Sequence, residues 1–390
     1  SGKVARVAAE NGVFYGTVDD GVVGKQRWGR EALIERRRVV VLALGHSELG
    51  GRGSLSGASL GHGGQTLMKS TRDRLSGPKP LRSYDAHSPD ERRPEPCERL
   101  FMAYPEGVGA IDLMIGFPFR DKKAVYEYLQ GGIKDKGSDD LAMPAGYMFK
   151  DVPEEAGEEV DPIDFTFTEM DKYGVSAGLF GLTDTSREAK KRHPGRVFFS
   201  LEVDPNDITG AVRKIREAND SDGLSAVTTF PAGCLPQVPV SDRRYYPIYQ
   251  TCIDLDIPII SNAGIPGPRF PAECQHVMHF DEVCYDFPEL KIVMRHGAEP
   301  WEALAVKLML KWPGLYYMPS AFAPKHYPKA ILDYANSRGS DKIMYAGYFP
   351  AGLTLERIFT EMTFVPLKDS VWPKFLRENA MKLFKMDGVP

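Results

Sequence analysis

Phe287-Pro288-Glu289-Leu290-Lys291-Ile292-Val293-Met294-Arg295-His296-Gly297 is the stretch whose reading decides the fold. Residues 291–294 make a short, mainly apolar run that Gly297 then breaks. A run this short, bounded by a turn signal, reads as a buried strand rather than a helix. Residues 301–311 follow with the spacing of an amphipathic helix. The unit is therefore a strand that hands over to a helix, with Arg295 and His296 at the handover.

The same alternation extends in both directions. Strands are expected at 111–116, 175–179, 197–203, 224–230, 257–261, 291–294, 315–318 and 342–345. Helical patterns occupy 164–173, 207–219, 242–254, 273–287, 301–311 and 328–338. Strands that alternate with helices imply a parallel sheet with crossover connections. Eight such units in roughly 280 residues predict an α/β protein of the (β/α)8 TIM-barrel type. A doubly wound sheet is the competing architecture, but no GxGxxG or GxxxxGK[ST] follows any strand.

Composition divides the chain. Of 390 residues, 42% are hydrophobic and 26% charged, with a net charge of −4. The first 100 residues carry 17 Lys+Arg and 12 Asp+Glu, whereas the remaining 290 carry a net charge of −9. Only Phe14, Tyr15, Trp28 and Tyr84 are aromatic in the first hundred residues, before a seam near Met102. Residues 46–100 are rich in Gly, Ser, Arg and Pro, as in Gly50-Gly51-Arg52-Gly53-Ser54. Such a segment buries too little to offset its ordering entropy. Residues 1–101 are expected to be a largely disordered, low-complexity extension, with 39–44 as a lone strand or helical turn. Residues 102–390 are expected to form the barrel. The extension reads either as a regulatory or targeting tail or as an upstream addition to a protein that starts at Met102.

The mild acidity argues against a nucleic-acid partner. The longest apolar run, 39–44, is far too short to span a membrane. No secretory signal opens the chain, and five Cys without a CxxC pair fit a reducing, cytoplasmic setting.

On a barrel, the residues just past each strand build the site. Those runs are Ile111-Asp112-Leu113-Met114-Ile115-Gly116, Thr229-Phe230-Pro231, Ser261-Asn262-Ala263-Gly264, Arg295-His296-Gly297 and Ala346-Gly347-Tyr348. Four further segments carry a family likeness: Arg192-His193-Pro194-Gly195-Arg196-Val197 followed by Asp204-Pro205; Asp242 through Pro247 and Tyr249; Phe287 through Gly297; and Glu378-Asn379-Ala380 with Leu383-Phe384. In this order they resemble the amidohydrolase-related barrels that include aminocarboxymuconate-semialdehyde decarboxylase and the resorcylate-type decarboxylases. The resemblance runs from about residue 111 to 384.

The resemblance implies one divalent metal, held by His-x-His on strand one, a His ending strand five and an Asp ending strand eight. Those positions are here Met114, Gly116, Asn262 and Tyr348. Only Asp112 and His296 remain as ordinary ligands, and a zinc site needs three or four. The expectation is no metal and no cofactor. His276 and His279, three apart on a helical stretch, are either a separate metal pair or a solvated face.

His296 is the leading catalytic candidate, since imidazole can act as acid or base near neutral pH. Asp112 is the second. It either pairs with Arg295 and orients His296, or faces outward and caps a turn. Asn262 and Tyr348 are candidates to hydrogen-bond a substrate carbonyl or carboxylate. Arg295 and Arg269 are candidates to hold an anionic group, Arg269 with a solvated surface position as its alternative. Cys234 is either a nucleophile or a small buried thiol. Residues 143–151 read as a lid.

These residues point to a hydrolase or carboxy-lyase acting on a small, acidic, partly apolar substrate without the family's metal. Two alternatives stand beside it: a catalytically silent barrel that binds or scaffolds, and an ordinary metalloenzyme whose ligands lie elsewhere. A small-molecule substrate is the expected partner, with a homodimer as the family's habit.

Overall fold

The computed structural model describes Pro105 and residues 107–390, together with five two-residue strands between Ala9 and Arg27. The chain divides into two units, Ser1–Pro89 and Asp90–Pro390. In the first, Ala9–Glu10, Val13–Phe14 and Gln26–Arg27 form an antiparallel sheet, and Thr17–Val18 pairs with Gly21–Val22. Residues 39–44, the segment 46–100 and the expected boundary at Met102 lie outside the described residues.

The second unit is an α/β, TIM-barrel-like fold. Its strands are β1 (Ala110–Asp112), β2 (Val175–Gly181), β3 (Val197–Glu202), β4 (Leu224–Thr229), β5 (Ile259–Asn262), β6 (Ile292–Arg295) and β7 (Leu315–Met318). They form one parallel seven-stranded sheet in sequence order. Helices return the chain between strands: α1 (Pro162–Lys172), α2 (Asp184–Arg192), α3 (Ile208–Asp222), α4 (Tyr246–Asp254), α5 (His279–Asp286), α6 (Glu302–Lys311) and α7 (Lys329–Ala335). Two more, α8 (Leu355–Met362) and α9 (Asn379–Phe384), follow. Among the described residues no helix is long and apolar enough to cross a membrane.

Local chemistry sets the helix starts. Asp161 caps α1 by accepting from the N–H groups of Ile163 and Asp164, with Pro162 at the first helical position. Thr183 and Ser186 form a reciprocal capping box at α2. Helix α2 is absent from the expected elements because Asp184–Arg192 is polar nearly all round. It is supported instead by its cap and by pairs such as Arg187–Asp184 at 2.9 Å. Helix α8 is also absent from them, although Leu355, Ile358, Phe359 and Met362 show the i, i+3, i+4, i+7 pattern of a buried face.

Side chains alternate across each strand, and this sorts the core into two layers. Ile111, Ala177, Ala226, Ile260, Val293 and Met318 share one buried cluster, the barrel interior. Val175, Val227, Ile259, Ile292, Met294 and Leu315 belong to the other, which faces the helices. Helix α9 adds Ala380, Leu383 and Phe384 to the interior cluster, so it plugs one end of the barrel. The other end, past the C-terminal ends of the strands, stays open.

The seam between β7 and β1 differs from expectation. Residues 342–345 do not form a ladder strand. The segment makes one parallel bridge to β7, Tyr317↔Ile343, and the chain bridges the β1 side only later, at Ile115↔Phe349. Met344 N–H reaches the Tyr317 carbonyl of β7 at 3.0 Å, but the next donors are spent elsewhere: Tyr345 N–H goes to the Phe375 carbonyl at 2.7 Å and Gly347 N–H to the Asp112 carboxylate at 2.7 Å. Backbone groups already paired cannot also build a ladder.

Candidate active site

A cavity of about 780 Å³ opens at the C-terminal ends of the strands. Inward parity decides which residues reach it. Asn262 shares the parity of Ile260, Arg295 that of Val293, and Glu202 that of Phe198, all facing the interior. Met114 and Gly116 enter after β1, Phe230 after β4, His296 after β6 and Tyr348 from the seam. Tyr126, Met143, Met148 and Phe149 wall the mouth from the long excursion that follows β1.

Arg295 and Asn262 are register partners on adjacent strands. Arg295 Nε donates to Asn262 Oδ1. The Arg295 side chain is only 9% exposed, and its nearest acid, Glu202, lies 3.9 Å away with a side chain 51% exposed. Burial lowers the Arg295 pKa, but a guanidinium titrates so high that it stays charged. A buried cation with a distant, hydrated counter-ion is short of negative charge.

His296 sits on unusual backbone. Its φ is +68°, followed by Gly297 at +89° and Ala298 at +57°. Non-glycine residues rarely adopt this region, and such conformations cluster at functional sites. The imidazole Nδ1 lies 3.2 Å from the Ser320 carbonyl and 3.1 Å from Ser320 Oγ. A carbonyl can only accept, so this contact favours the tautomer protonated at Nδ1, which leaves the Nε2 lone pair for a ligand. Burial, reinforced by the Arg295 charge, drives the His296 pKa down to about 3. At neutral pH the ring is thus uncharged. It packs edge-on against Tyr348, with centroids 5.8 Å apart. Tyr348 stacks in turn on Phe149 at 5.6 Å.

Asp112 lies elsewhere. It belongs to the opposite parity from Ile111 and Leu113, so it points out of the barrel toward the helices. It is fully buried and does not line the cavity. Its Oδ1 accepts from Met114 N–H at 2.9 Å and Gly347 N–H at 2.7 Å, and its Oδ2 from the Tyr345 hydroxyl at 2.9 Å. Burial outweighs these donors and raises its pKa to about 6. The carboxyl stitches β1 to the seam and touches neither Arg295 nor His296 in any of these bonds.

Arg269 is also outside the cavity lining. It pairs with Asp135, approaches Ser138 and lies over the Tyr147 ring at 4.6 Å. Tyr147 donates to the Gly267 carbonyl at 2.7 Å, and Arg357 donates to the Lys150 carbonyl at 2.7 Å. Arg269 therefore holds the loop that covers the mouth and does not face the cavity. Met143, Pro144, Ala145, Met148, Phe149 and Lys150 do line the cavity, within the 143–151 span read as a lid.

The remaining candidates have protein partners. Cys234 is buried, bonds the Phe230 carbonyl at 3.4 Å, and has its thiol pKa pushed far up by burial, which leaves no thiolate to attack. His279 bonds Ser241 at 3.0 Å and the Glu273 carbonyl at 2.9 Å, and His276 packs on Trp301 at 4.2 Å. Glu202, Gln275 and Glu299 join the cavity lining unannounced. Strand parity could have found Glu202. Gln275 bridges the Ala232 N–H and the Gly264 carbonyl, a contact between loops that no local pattern signals.

The family's divalent ion does not fit these residues. Met114 and Gly116 offer no hard ligand, Asn262 oxygen is committed to Arg295, and the Asp112 carboxylate faces away. Among the described residues no group of three or more His, Cys, Asp or Glu is placed to hold a metal.

Known proteins bear on this architecture. An uncharacterized TIM-barrel protein from Bordetella bronchiseptica is 21% identical, covers 72% of this chain and 99% of its own, and superposes with a TM-score of 0.55. The 5-carboxyvanillate decarboxylase from Novosphingobium aromaticivorans, solved with manganese and 4-hydroxy-3-methoxy-5-nitrobenzoic acid, is 16% identical over 73% of this chain and 98% of its own, with a TM-score of 0.51. The 2,6-dihydroxybenzoate decarboxylase from Rhizobium is 14% identical over 72% and 99%, also with a TM-score of 0.51. At these identities the likeness is one of fold. No curated protein matches the sequence. The amidohydrolase family model matches residues 132–386, well over half of the sequence, and the chain belongs to that family.

Proposed function

We propose that the protein is a hydrolase or carboxy-lyase that acts on a small, acidic, partly apolar organic substrate without the divalent metal of its relatives. The observation that carries this reading is the buried Arg295, with Glu202 no closer than 3.9 Å, beside the uncharged His296 at the open end of the barrel. The reaction class draws on the solved neighbours, two of which are named as decarboxylases.

The residues divide the work. Arg295 binds the acid, Asn262 holds the guanidinium in place, and the aromatic walls take the apolar part. His296 Nε2 accepts a proton from a substrate hydroxyl or from water, then returns it to the carbon or leaving group. The Ser320 carbonyl orients the ring and offsets part of the burial and Arg295 charge that disfavour an imidazolium; an anion bound on Arg295 would offset more. Tyr348, against the His296 ring, is placed to donate to an oxygen that gains charge.

The test is a panel of hydroxybenzoates, dicarboxylates, lactones and esters, run after chelator treatment on wild type and His296→Ala. Proton-transfer groups contribute about 10²- to 10⁴-fold, so the variant is expected to lose about that much kcat. Activity that returns only with added Mn²⁺ sinks the metal-free part. Turnover unchanged in His296→Ala removes its assignment. No turnover of any compound favours the silent, ligand-binding barrel.

A further inference from the structure

We propose that the Arg295 guanidinium, keyed by Asn262, stands in for the family's divalent cation and anchors a non-reacting carboxylate of the substrate. The inference rests on the reading of the same cavity given above and specifies what that cavity binds. Three observations converge. Asn262 ends β5 at the cavity, and its oxygen accepts from Arg295 Nε. That bond ties up Nε, Arg295 lines the cavity, and no protein hydrogen bond is made by its outer nitrogens among the described residues. Among the described residues, Glu202 at 3.9 Å is the one acid paired with Arg295, and solvent at its half-exposed carboxylate screens that pair.

A planar fork of this kind matches a carboxylate in a two-point bond, and the low-dielectric surroundings strengthen it. The same fixed positive charge repels a divalent ion, so metal and arginine are alternatives. The anchored carboxylate is not the group that reacts. Loss of CO₂ disperses the negative charge of the departing carboxylate, and a tight arginine contact would stabilise the ground state more than the transition state. The substrate class is therefore a two-function acid: one carboxylate on Arg295, and a second, reactive group within reach of His296.

Titration calorimetry on the full chain tests this with benzoate, benzamide and Mn²⁺ as probes. Benzoate is expected to bind the wild type, untouched by chelator, with benzamide about 30-fold weaker or worse, since a charge-assisted pair is lost. Arg295→Gln should weaken benzoate about 30- to 100-fold and leave benzamide unchanged. Equal affinity for benzoate and benzamide in the wild type, no benzoate binding, or a stoichiometric Mn²⁺ that benzoate needs would each overturn the proposal. The wild-type comparisons decide it even if Arg295→Gln fails to fold. Carboxylate binding without any turnover would spare the anchor and sink the enzymatic reading. Turnover with an unchanged KM in Arg295→Gln would do the reverse.

Discussion

Two buried charges in this barrel are treated in opposite ways. Asp112, at the β1 seam, spends both carboxylate oxygens on Met114, Gly347 and Tyr345. Arg295, at the end of β6, has one neutral partner and one distant acid. The first is satisfied by the protein and closes the architecture. The second keeps only a long, half-hydrated ion pair with Glu202 and faces the cavity. Parity decides the difference: Asp112 points outward to the helices, Arg295 inward to the cavity. A buried ionisable residue thus marks a site only when its partners are missing.

The largest effect expected to sharpen this contrast is at Asp112. Its folded-state pKa of about 6 lies above the ordinary value of 3.8, so the native state binds the extra proton between those pH values. Stability from this group is present below pH 3.8 and falls as pH rises toward 6, by on the order of 3 kcal/mol. Asp112→Asn keeps an acceptor for the two N–H groups and removes the titration. Urea unfolding of both proteins between pH 4 and 7 should show the variant gaining relative stability across that window. A difference independent of pH would mean that the carboxyl does not titrate as a buried group.

Gly297 ranks second. A Cβ there would come 2.4 Å from the Phe322 ring, and φ is +89°. Gly297→Ala should cost about 1–3 kcal/mol and tilt the adjacent His296 out of line. A variant with wild-type thermal stability and unaltered benzoate binding would show that the strained turn is not coupled to the site. The smallest effect belongs to Arg269, whose pair with Asp135 is solvent-exposed on both sides. Arg269→Ala should change benzoate affinity by less than about threefold, because exposed pairs contribute little. Amide exchange across residues 135–150 should quicken all the same, since the loop loses a tether. A large loss of affinity would return Arg269 to the site.

Much of the barrel was legible because its strands are short apolar runs placed between helical patterns. Each observed strand from β2 to β7 falls within two residues of the expected span. The seam was not legible, since its donors are diverted to Phe375 and Asp112, partners remote in sequence. Helix α2 lacked an apolar face to read. His296 and Arg295 could be singled out from their place after a strand. Their relation to Asn262 could not, because it depends on the register of two neighbouring strands. The outward face of Asp112 was within reach of the two-residue period, given that Ile111 and Leu113 point in. Arg269 depends on a contact with Asp135 across 134 residues, which no local pattern carries.

The plug formed by α9 has a consequence for how the chain folds. Strand β1 is made before every other strand of the sheet, yet the Asp112 bond to Tyr345 spans 233 residues and α9 comes later still. The interior of the barrel thus stays open at one end until nearly all of the domain has been synthesised. Such high contact order slows folding, and a nascent chain halted before residue 343 would present an unsealed apolar bore to its surroundings. Protection by a chaperone would matter most for this unit in that interval, when the strands are complete and the stopper has yet to arrive.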